Sequence, residues 1–586
     1  GAHYYRKVLQ SDSTRFDVWS TLASLYLRKG QVGESLGAFG KAIALSPTAD
    51  DLYFNRGNAH QARGDHGSAA EDFKKAIELR GDNYQAWNNL GSAYMSLAEN
   101  KLAIQALRKT LQFIPTHPIL LTNLVITENR ICEWGRRRKH NAMLRTGLHN
   151  ELAEGRALVT PFHALEFNFT SDECLQNAQA WSRKVDDSIS FAEGFQPGGE
   201  TMTGRLRVGY FSGSGFHNST TTARSMRSQY SLHNRMYVEV FCYAGQGNDG
   251  SEPRATIMRG CDHFVEVEGL SHVQVAERIR ADGINVLIDL TGYTINMQTQ
   301  VMAIGPAPVQ VSFHGFPGTM GAEFIHYLVA DRLTTPPAAP PCAKRCFDVR
   351  YVRYVVYCTT VCRSATNLRC AEHADQYTER LLVVPHTYLT NDHRQSRREV
   401  YVEGDHEEFG KAPPSSFLLL ATLTLLREGE LMAAKLGVDP ARLVFHDQFP
   451  REREFRIKGL AELFLDTPLF NAHTTGGDVL WSGIPVLTLP GDNFAQRVAA
   501  GLVYSAEMPY MIARDLEDYT AMATALAGRR RVRVSEQEKL RRAREEVPLF
   551  DTQRLTQELE TGLLLAWECH DAIGAPYHIV VAGAQE

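Results

Sequence analysis

A 34-residue period governs the first 128 residues of this chain. Trp19, Tyr53 and Trp87 fall 34 apart, and Leu121 follows after another 34. Tyr5, Phe39, Phe73 and Leu107 keep the same interval, as do Pro47, Gly81 and Pro115. Within each unit, two apolar patterns of helical spacing flank a short polar turn. Over residues 17–47 the first helix carries Trp19, Leu22, Ala23 and Tyr26, and the second Leu36, Phe39, Ala42 and Ile43. One helical hairpin cannot bury its own apolar face, whereas a stack of hairpins can. The period therefore predicts a stacked helical array over 1–128. A half-unit opens it (Tyr5, Val8, Leu9), and small residues (Ala23, Gly57, Gly91) recur where helices approach closely.

A helix–turn–helix period of this length is the tetratricopeptide signature. Asn55, Asn89 and Asn123 also lie 34 apart, with Thr21 at that place in the first repeat. An amide offers a donor and an acceptor, so such a row suits the backbone of an extended peptide. The competing reading is that these amides make contacts between neighbouring repeats.

Beyond the array the pattern changes. Residues 129–204 read as a helical linker. Then Arg205–Tyr210, Val238–Tyr243, Asn285–Leu290 and Val309–Phe313 read as buried strands, with a helix at Val273–Ala281. Strands alternating with helices predict a parallel sheet. A literal G-x-G-x-x-G (Gly245, Gly247, Gly250) follows the second strand, but its Asn-Asp-Gly context reads as a surface turn. A second alternating run starts at Leu443, with strands at 443–446, 463–466 and 486–489 and helices at 452–461 and 479–482.

Composition closes off several classes. The 586 residues carry 62 Lys and Arg against 67 Asp and Glu, a net charge of −5, so no general affinity for nucleic acid or anionic membrane is expected. The longest apolar run, Phe417–Leu426, is ten residues, about half of a membrane span. The first residue is Gly and no signal-peptide pattern follows it. Ten cysteines indicate a reducing compartment rather than a disulfide scaffold. Five of them crowd into Cys342–Cys370, in an insertion over about 338–371 whose spacings could bind zinc but fit no standard ligand pattern well, so that a surface loop or a misread gene boundary is the preferred reading. Asp-x-Asp, Walker A, H-E-x-x-H and C-x-x-C are all absent.

The segment Asn471-Ala-His-Thr-Thr-Gly-Gly-Asp478 lies between a predicted strand and a predicted helix. Free N–H groups and the positive helix end there would seat a phosphate. Asp478 is placed to accept from a ribose hydroxyl. The alternative is a plain helix cap by Thr474 or Thr475.

At these residues the sequence resembles the O-GlcNAc transferase family. The matching stretches are 205–212 (RLRVGYFS), 238–244 (VEVFCYA), 289–294, 305–331, 383–393, 463–491, 497–500 and the closing 549–568. The resemblance implies a tetratricopeptide α-superhelix followed by a GT-B glycosyltransferase of two Rossmann-like domains, at 205–337 and 372–548, with a closing helix and tail at 549–586. It implies inverting, metal-independent transfer of GlcNAc from UDP-GlcNAc to Ser or Thr of intracellular proteins, in cytoplasm or nucleus. His473, Thr474 and Thr475 would hold the diphosphate, Asp478 the ribose, and Arg451 would stand beside the nucleotide. Pro317, Gly318 and Thr319 would line the sugar side, and the Asn row would draw in the acceptor peptide. His217 and Lys411 are the nearest candidates for the family's catalytic groups.

The sequence also departs from the family pattern. Ser214–Ser219 lacks the family's Asp and His-Pro, Arg280 stands at a histidine position, Glu454 at the uracil-packing position, and the segment between Phe409 and Phe417 is compressed. These departures support a second expectation, a tetratricopeptide scaffold with a degenerate transferase half. A third is O-fucosylation from GDP-fucose, by a sister family of the same architecture.

Overall fold

The protein is described here from a computed structural model. It describes residues 2–189 (apart from 116, 132, 133 and 168), 204–335, 355–357, 376–396, 451–582, and a few positions between 421 and 446. These fall into two compact units, residues 1–151 with 421–445, and 152–420 with 446–586.

The first unit is the helical array. Its helices are α1 (Ala2–Ser11), α2 (Phe16–Arg28), α3 (Val32–Leu45), α4 (Asp50–Ala62), α5 (His66–Leu79), α6 (Tyr84–Ser96), α7 (Asn100–Phe113), α8 (Pro118–Arg130) and α9 (Arg137–Ala153). The periodic aromatics have a visible purpose. Trp19 Nε1 donates to Ser13 O, Tyr53 Oη to Pro47 O and Trp87 Nε1 to Gly81 O, each six residues upstream, at 3.0–3.1 Å. Each aromatic thus ties its helix to the turn before it. Phe39, Phe73 and Leu107 are fully buried between helices. Gly57 and Gly91 answer them: an added Cβ would lie 2.7 Å from the Phe73 ring or 2.9 Å from Leu107.

The compact unit runs past residue 128, where the period stops, to 151. The reason is Glu128. Its buried carboxylate accepts from Arg108 on α7 at 2.8 Å and pairs with His140 on α9 at 2.7 Å. A polar residue, invisible to hydrophobic periodicity, joins α9 to the last repeat.

The second unit holds a nine-stranded sheet, eight strands of which are β1 (Leu206–Ser212), β2 (Val238–Ala244), β3 (His263–Glu266), β4 (Val286–Asp289), β5 (Val309–Ser312), β6 (Tyr327–Asp331), β7 (Val355–Tyr357) and β8 (Arg380–Val384), the ninth coming from the end of the chain. Next in the chain come two short strands paired with each other, β9 (Ala421–Thr422), which falls in the first unit, and β10 (Phe445–His446), at that unit's boundary. Then come β11 (Phe464–Leu465), β12 (Val486–Leu487) and β13 (His578–Val580). The large sheet runs β3-β2-β1-β4-β5-β6-β8-β13-β7. Its first six strands follow the doubly wound order 3-2-1-4-5-6, whose ligand crevice lies where the order reverses, between β1 and β4.

Two strands lie apart from the drawn domain limits. β8, expected in the 372–548 half, pairs in parallel with β6, and β13, from the closing tail, pairs with β8. The helix Thr552–Ile573 packs on this same sheet, where Gly562 allows the approach: a Cβ there would meet Leu382 at 2.6 Å. The second half is built on β11 and β12, paired in parallel and extended by a bridge from Thr488 to Ile512.

Replacing Gly57 with Ala forces the Phe73 ring to shift. We expect a loss of about 1–3 kcal/mol, read as faster hydrogen exchange across α4 and α5 with exchange in the second unit unchanged.

Candidate active site

The site is assembled by one carboxylate. Asp466 follows β11 and accepts from the Ala472 amide at 2.7 Å and the Thr488 hydroxyl at 2.6 Å. Burial pushes its pKa up to about 6 against these bonds. Together they fold residues 467–472 back and deliver His473 to the start of the helix Thr474–Trp481. The His473 ring stacks on Phe470, centroids 4.7 Å apart and planes 24° apart, and Nε2 donates to Ala495 O at 3.1 Å. Burial among these groups pushes its pKa down to about 4.

The expected alternative of a Thr cap is not what forms. His473 occupies the cap position without a capping bond from its side chain, and Thr474 and Thr475 are the first two residues of the helix. The first-turn N–H groups have no partner inside the helix, and its positive end faces outward beside an exposed Thr475. The two glycines serve packing, not ligand approach. A Cβ on Gly476 would meet Leu502 at 2.9 Å, and one on Gly477 would meet Asn391 Oδ1 at 2.3 Å.

Asp478 lies one turn in. Its Oδ1 pairs with His393 Nε2 at 2.8 Å, and its Oδ2 with Lys458 Nζ at 2.9 Å. Lys458 is also 3.8 Å from Glu454. Sequence reasoning missed Lys458 and His393. One signal existed: Arg451, Glu454 and Lys458 are spaced 0, 3 and 7 along the helix Arg451–Lys458, which puts them on one face. The side chain of Arg451 and all of Lys411 lie outside the described residues, as do the five clustered cysteines.

Loops after the first sheet face this helix. His314, beyond β5, lies close enough to His473 for the two rings to interact electrostatically. Its backbone is left-handed (φ 71°), its Nε2 meets Ser225 Oγ at 3.1 Å, and burial pushes its pKa down to about 4. Pro317, Gly318 and Thr319 follow and are buried. The Thr319 hydroxyl donates to the buried carboxylate of Glu379 at 2.7 Å, and the Met320 amide donates to the same group. Thr319 therefore fixes the loop's shape.

His217 sits beyond β1, and its Nε2 donates to Gly247 O at 2.6 Å. The glycines after β2 form a turn that packs backbone to backbone on this loop. A Cβ on Gly245 would lie 2.8 Å from Gly213 O. Buried Arg254 donates to Gly215 O and Gln246 O, clamping both loops.

The segment read as a linker supplies a wall. Phe162 meets Phe470 edge-on at 6.4 Å, Ser171 donates to Asp492 O at 2.9 Å, and Leu165 packs 3.5 Å from where a Gly318 Cβ would stand. In the array, Asn89 Nδ2 donates to Asn58 Oδ1 at 2.8 Å, and Asn89 Oδ1 accepts from Asn88. At Asn89 the repeat-to-repeat contact is the one made, whereas Asn55 and Asn123 are half-buried.

The sequence model of glycosyl transferase family 41 matches residues 131–342 and 408–559. The chain belongs to this family. A tetratricopeptide model matches residues 20–84 and 54–118. An Arabidopsis thaliana protein named "Probable UDP-N-acetylglucosamine--peptide N-acetylglucosaminyltransferase SEC" is 33% identical over 413 residues, 64% of this chain and 38% of that protein. A Caenorhabditis elegans protein named UDP-N-acetylglucosamine--peptide N-acetylglucosaminyltransferase is 26% identical over 509 residues, 63% of this chain and 41% of its own length. The chain thus spans about two fifths of these relatives. A solved mutant of the Thermobaculum terrenum O-GlcNAc transferase superposes with a TM-score of 0.60 at 20% identity, over 96% of this chain and 99% of that one. The fold is accordingly a tetratricopeptide array followed by a GT-B transferase.

Two outcomes follow from the geometry. In Gly477→Ala the new methyl displaces Asn391, and thermal unfolding should show a loss of about 1–3 kcal/mol. His473 should remain a neutral, Nε2-protonated ring at pH 5.5, seen by nitrogen NMR of the imidazole. Because its folded pKa lies below that of an unfolded histidine, its contribution to stability is full above about pH 6.5 and fades toward pH 4.

Proposed function

We propose that this protein transfers N-acetylglucosamine from UDP-GlcNAc to Ser or Thr hydroxyls of intracellular proteins, with inversion and without a metal or cofactor. The observation that carries the reading is the uncapped helix at Thr474, held in place by Asp466 and a neutral His473. A diphosphate seated there would meet backbone N–H donors, the Thr474 and Thr475 hydroxyls and the positive helix end. These donors would strengthen their hold as charge develops on the leaving group. Asp478, held by Lys458 and His393 one turn into the helix, would accept from a ribose hydroxyl. The acceptor hydroxyl would attack the anomeric carbon from the face opposite the diphosphate, which inverts it. Acceptor proteins would lie extended along the repeat groove, at Asn55 and Asn123 more than at Asn89. Cytoplasm and nucleus are the compartments in keeping with this chemistry.

The second reading, a scaffold with a silent transferase half, is favoured by His217. Its Nε2 proton is spent on Gly247 O, so that nitrogen is no base. The experiment is calorimetry with UDP in the absence of metal. Wild type should bind at micromolar concentration, and His473→Ala should weaken binding at least about tenfold, or about 1.4 kcal/mol. A transfer assay with UDP-GlcNAc, with GDP-fucose as the competing donor, then identifies the sugar. Silence toward both UDP and GDP would leave the scaffold.

A further inference from the structure

The helix Thr474–Trp481 leaves one narrow strip uncovered. Gly476, Gly477, Val479, Leu480 and Trp481 are buried, and Thr474, Thr475 and Asp478 are not. Thr475 and Asp478 are three residues apart, so they share a face, and the backbone climbs about 4.5 Å between them. A ligand whose phosphate sits on the first turn, and whose next unit follows the strip, brings that unit level with Asp478.

Two side chains fix the Asp478 carboxylate. His393 Nε2 meets Oδ1 at 2.8 Å, and Lys458 Nζ donates to Oδ2 at 2.9 Å. The His393 ring is buried, with the rings of Phe455, Trp481 and Phe550 each 5.7 Å from it. It can neither turn nor leave, and so sets the carboxylate's orientation. Lys458 is placed differently. Its side chain keeps 15% of its surface in solvent, much as Asp478 keeps 14%. Its distance to Glu454, 3.8 Å, is too long for a hydrogen bond. Of the three N–H groups of its ammonium, the one aimed at Asp478 makes the hydrogen bond that Lys458 has among the described residues. A mostly covered cation with N–H groups to spare therefore stands at the end of the strip.

We propose that Lys458 and Asp478 together read a vicinal cis-diol, and that Lys458 thereby makes the site selective for ribose over deoxyribose. The proposal rests on the nucleotide reading above. A donor and an acceptor held 2.9 Å apart match the adjacent oxygens of a cis-diol. One hydroxyl donates to Asp478, and its neighbour accepts from a second N–H of Lys458. Both bonds are charge-assisted, and so are stronger than bonds between neutral groups. A sugar lacking one hydroxyl leaves either the carboxylate or the ammonium facing it without a partner, and unpaired polar groups are what a selective site uses to reject an analogue. The phosphate contacts at Thr474 and Thr475 cannot make this distinction, because every nucleoside diphosphate offers them the same oxygens.

The test is calorimetry of the whole chain with UDP, 2′-deoxy-UDP, 3′-deoxy-UDP and pyrophosphate. Wild type should bind each deoxy analogue at least about tenfold more weakly than UDP. In Lys458→Met, UDP should weaken by a similar factor while one of the two analogues binds as it does to wild type, so that its deficit closes to within about twofold. Lys458→Gln, neutral and too short to reach, should give the same closure and serves if the Met variant does not fold. Pyrophosphate, which carries no diol, should bind the variants and wild type alike. Weakening of pyrophosphate in step with UDP would mean that Lys458 only props the helix, and would overturn the proposal. Equal binding of UDP and both analogues by wild type would overturn it too, and leave the nucleotide reading standing. Silence toward UDP and GDP would remove both.

Discussion

The first sheet is completed by residues that come nearly two hundred positions after its eighth strand. β13 slots between β8 and β7, and the helix Thr552–Ile573 lies across the sheet at a separation only a glycine permits. Glu560 on that helix bonds His233 Nδ1 at 2.7 Å and the Asn234 amide, and His233 Nε2 meets the Tyr210 hydroxyl. This buried chain ties the closing helix to the centre of the sheet. The loops beyond β1, β4 and β5 are aimed by that sheet, and the crevice facing Thr474 depends on where they point.

The second support is contact between backbones. Gly213, Gly215 and Gly245 bring two loops together, while Gly476 and Gly477 bring the helix Thr474–Trp481 against Leu502 and Asn391. A Gly-rich stretch at a helix start invites a phosphate-binding reading. Here the glycines face the protein, and Thr475 is the exposed residue of the helix's first turn.

Much of this was legible in the sequence. Aromatic and small-residue periods located the repeats because each marks a repeated contact: Trp87 to Gly81 O, Gly57 to Phe73. Four strands of the first sheet, β1, β2, β4 and β5, were legible as apolar runs because they are buried on both faces, whereas the half-exposed β3 was not. What was not legible was polar and distant. Glu128 extends the array to α9 through one carboxylate, and Asp478 is paired with Lys458 and His393, which lie 20 and 85 residues away in the chain. The run 152–189 read as a linker because its helices carry no repeat, yet Phe162 reaches Phe470 and Ser171 reaches Asp492. No periodicity announces a wall contributed by a single aromatic ring.

The late strand has a consequence for how the protein is made. A chain emerging from the ribosome presents β1 to β8 early, but β13, the neighbour of β8, appears only after the whole second half has been synthesised. At about 5–20 residues per second the gap between β8 and β13 lasts roughly 10–40 seconds. During that interval the β8 edge, whose final partner is absent, stays open to other chains. The cell must shelter an unfinished sheet for as long as it takes to translate the second half.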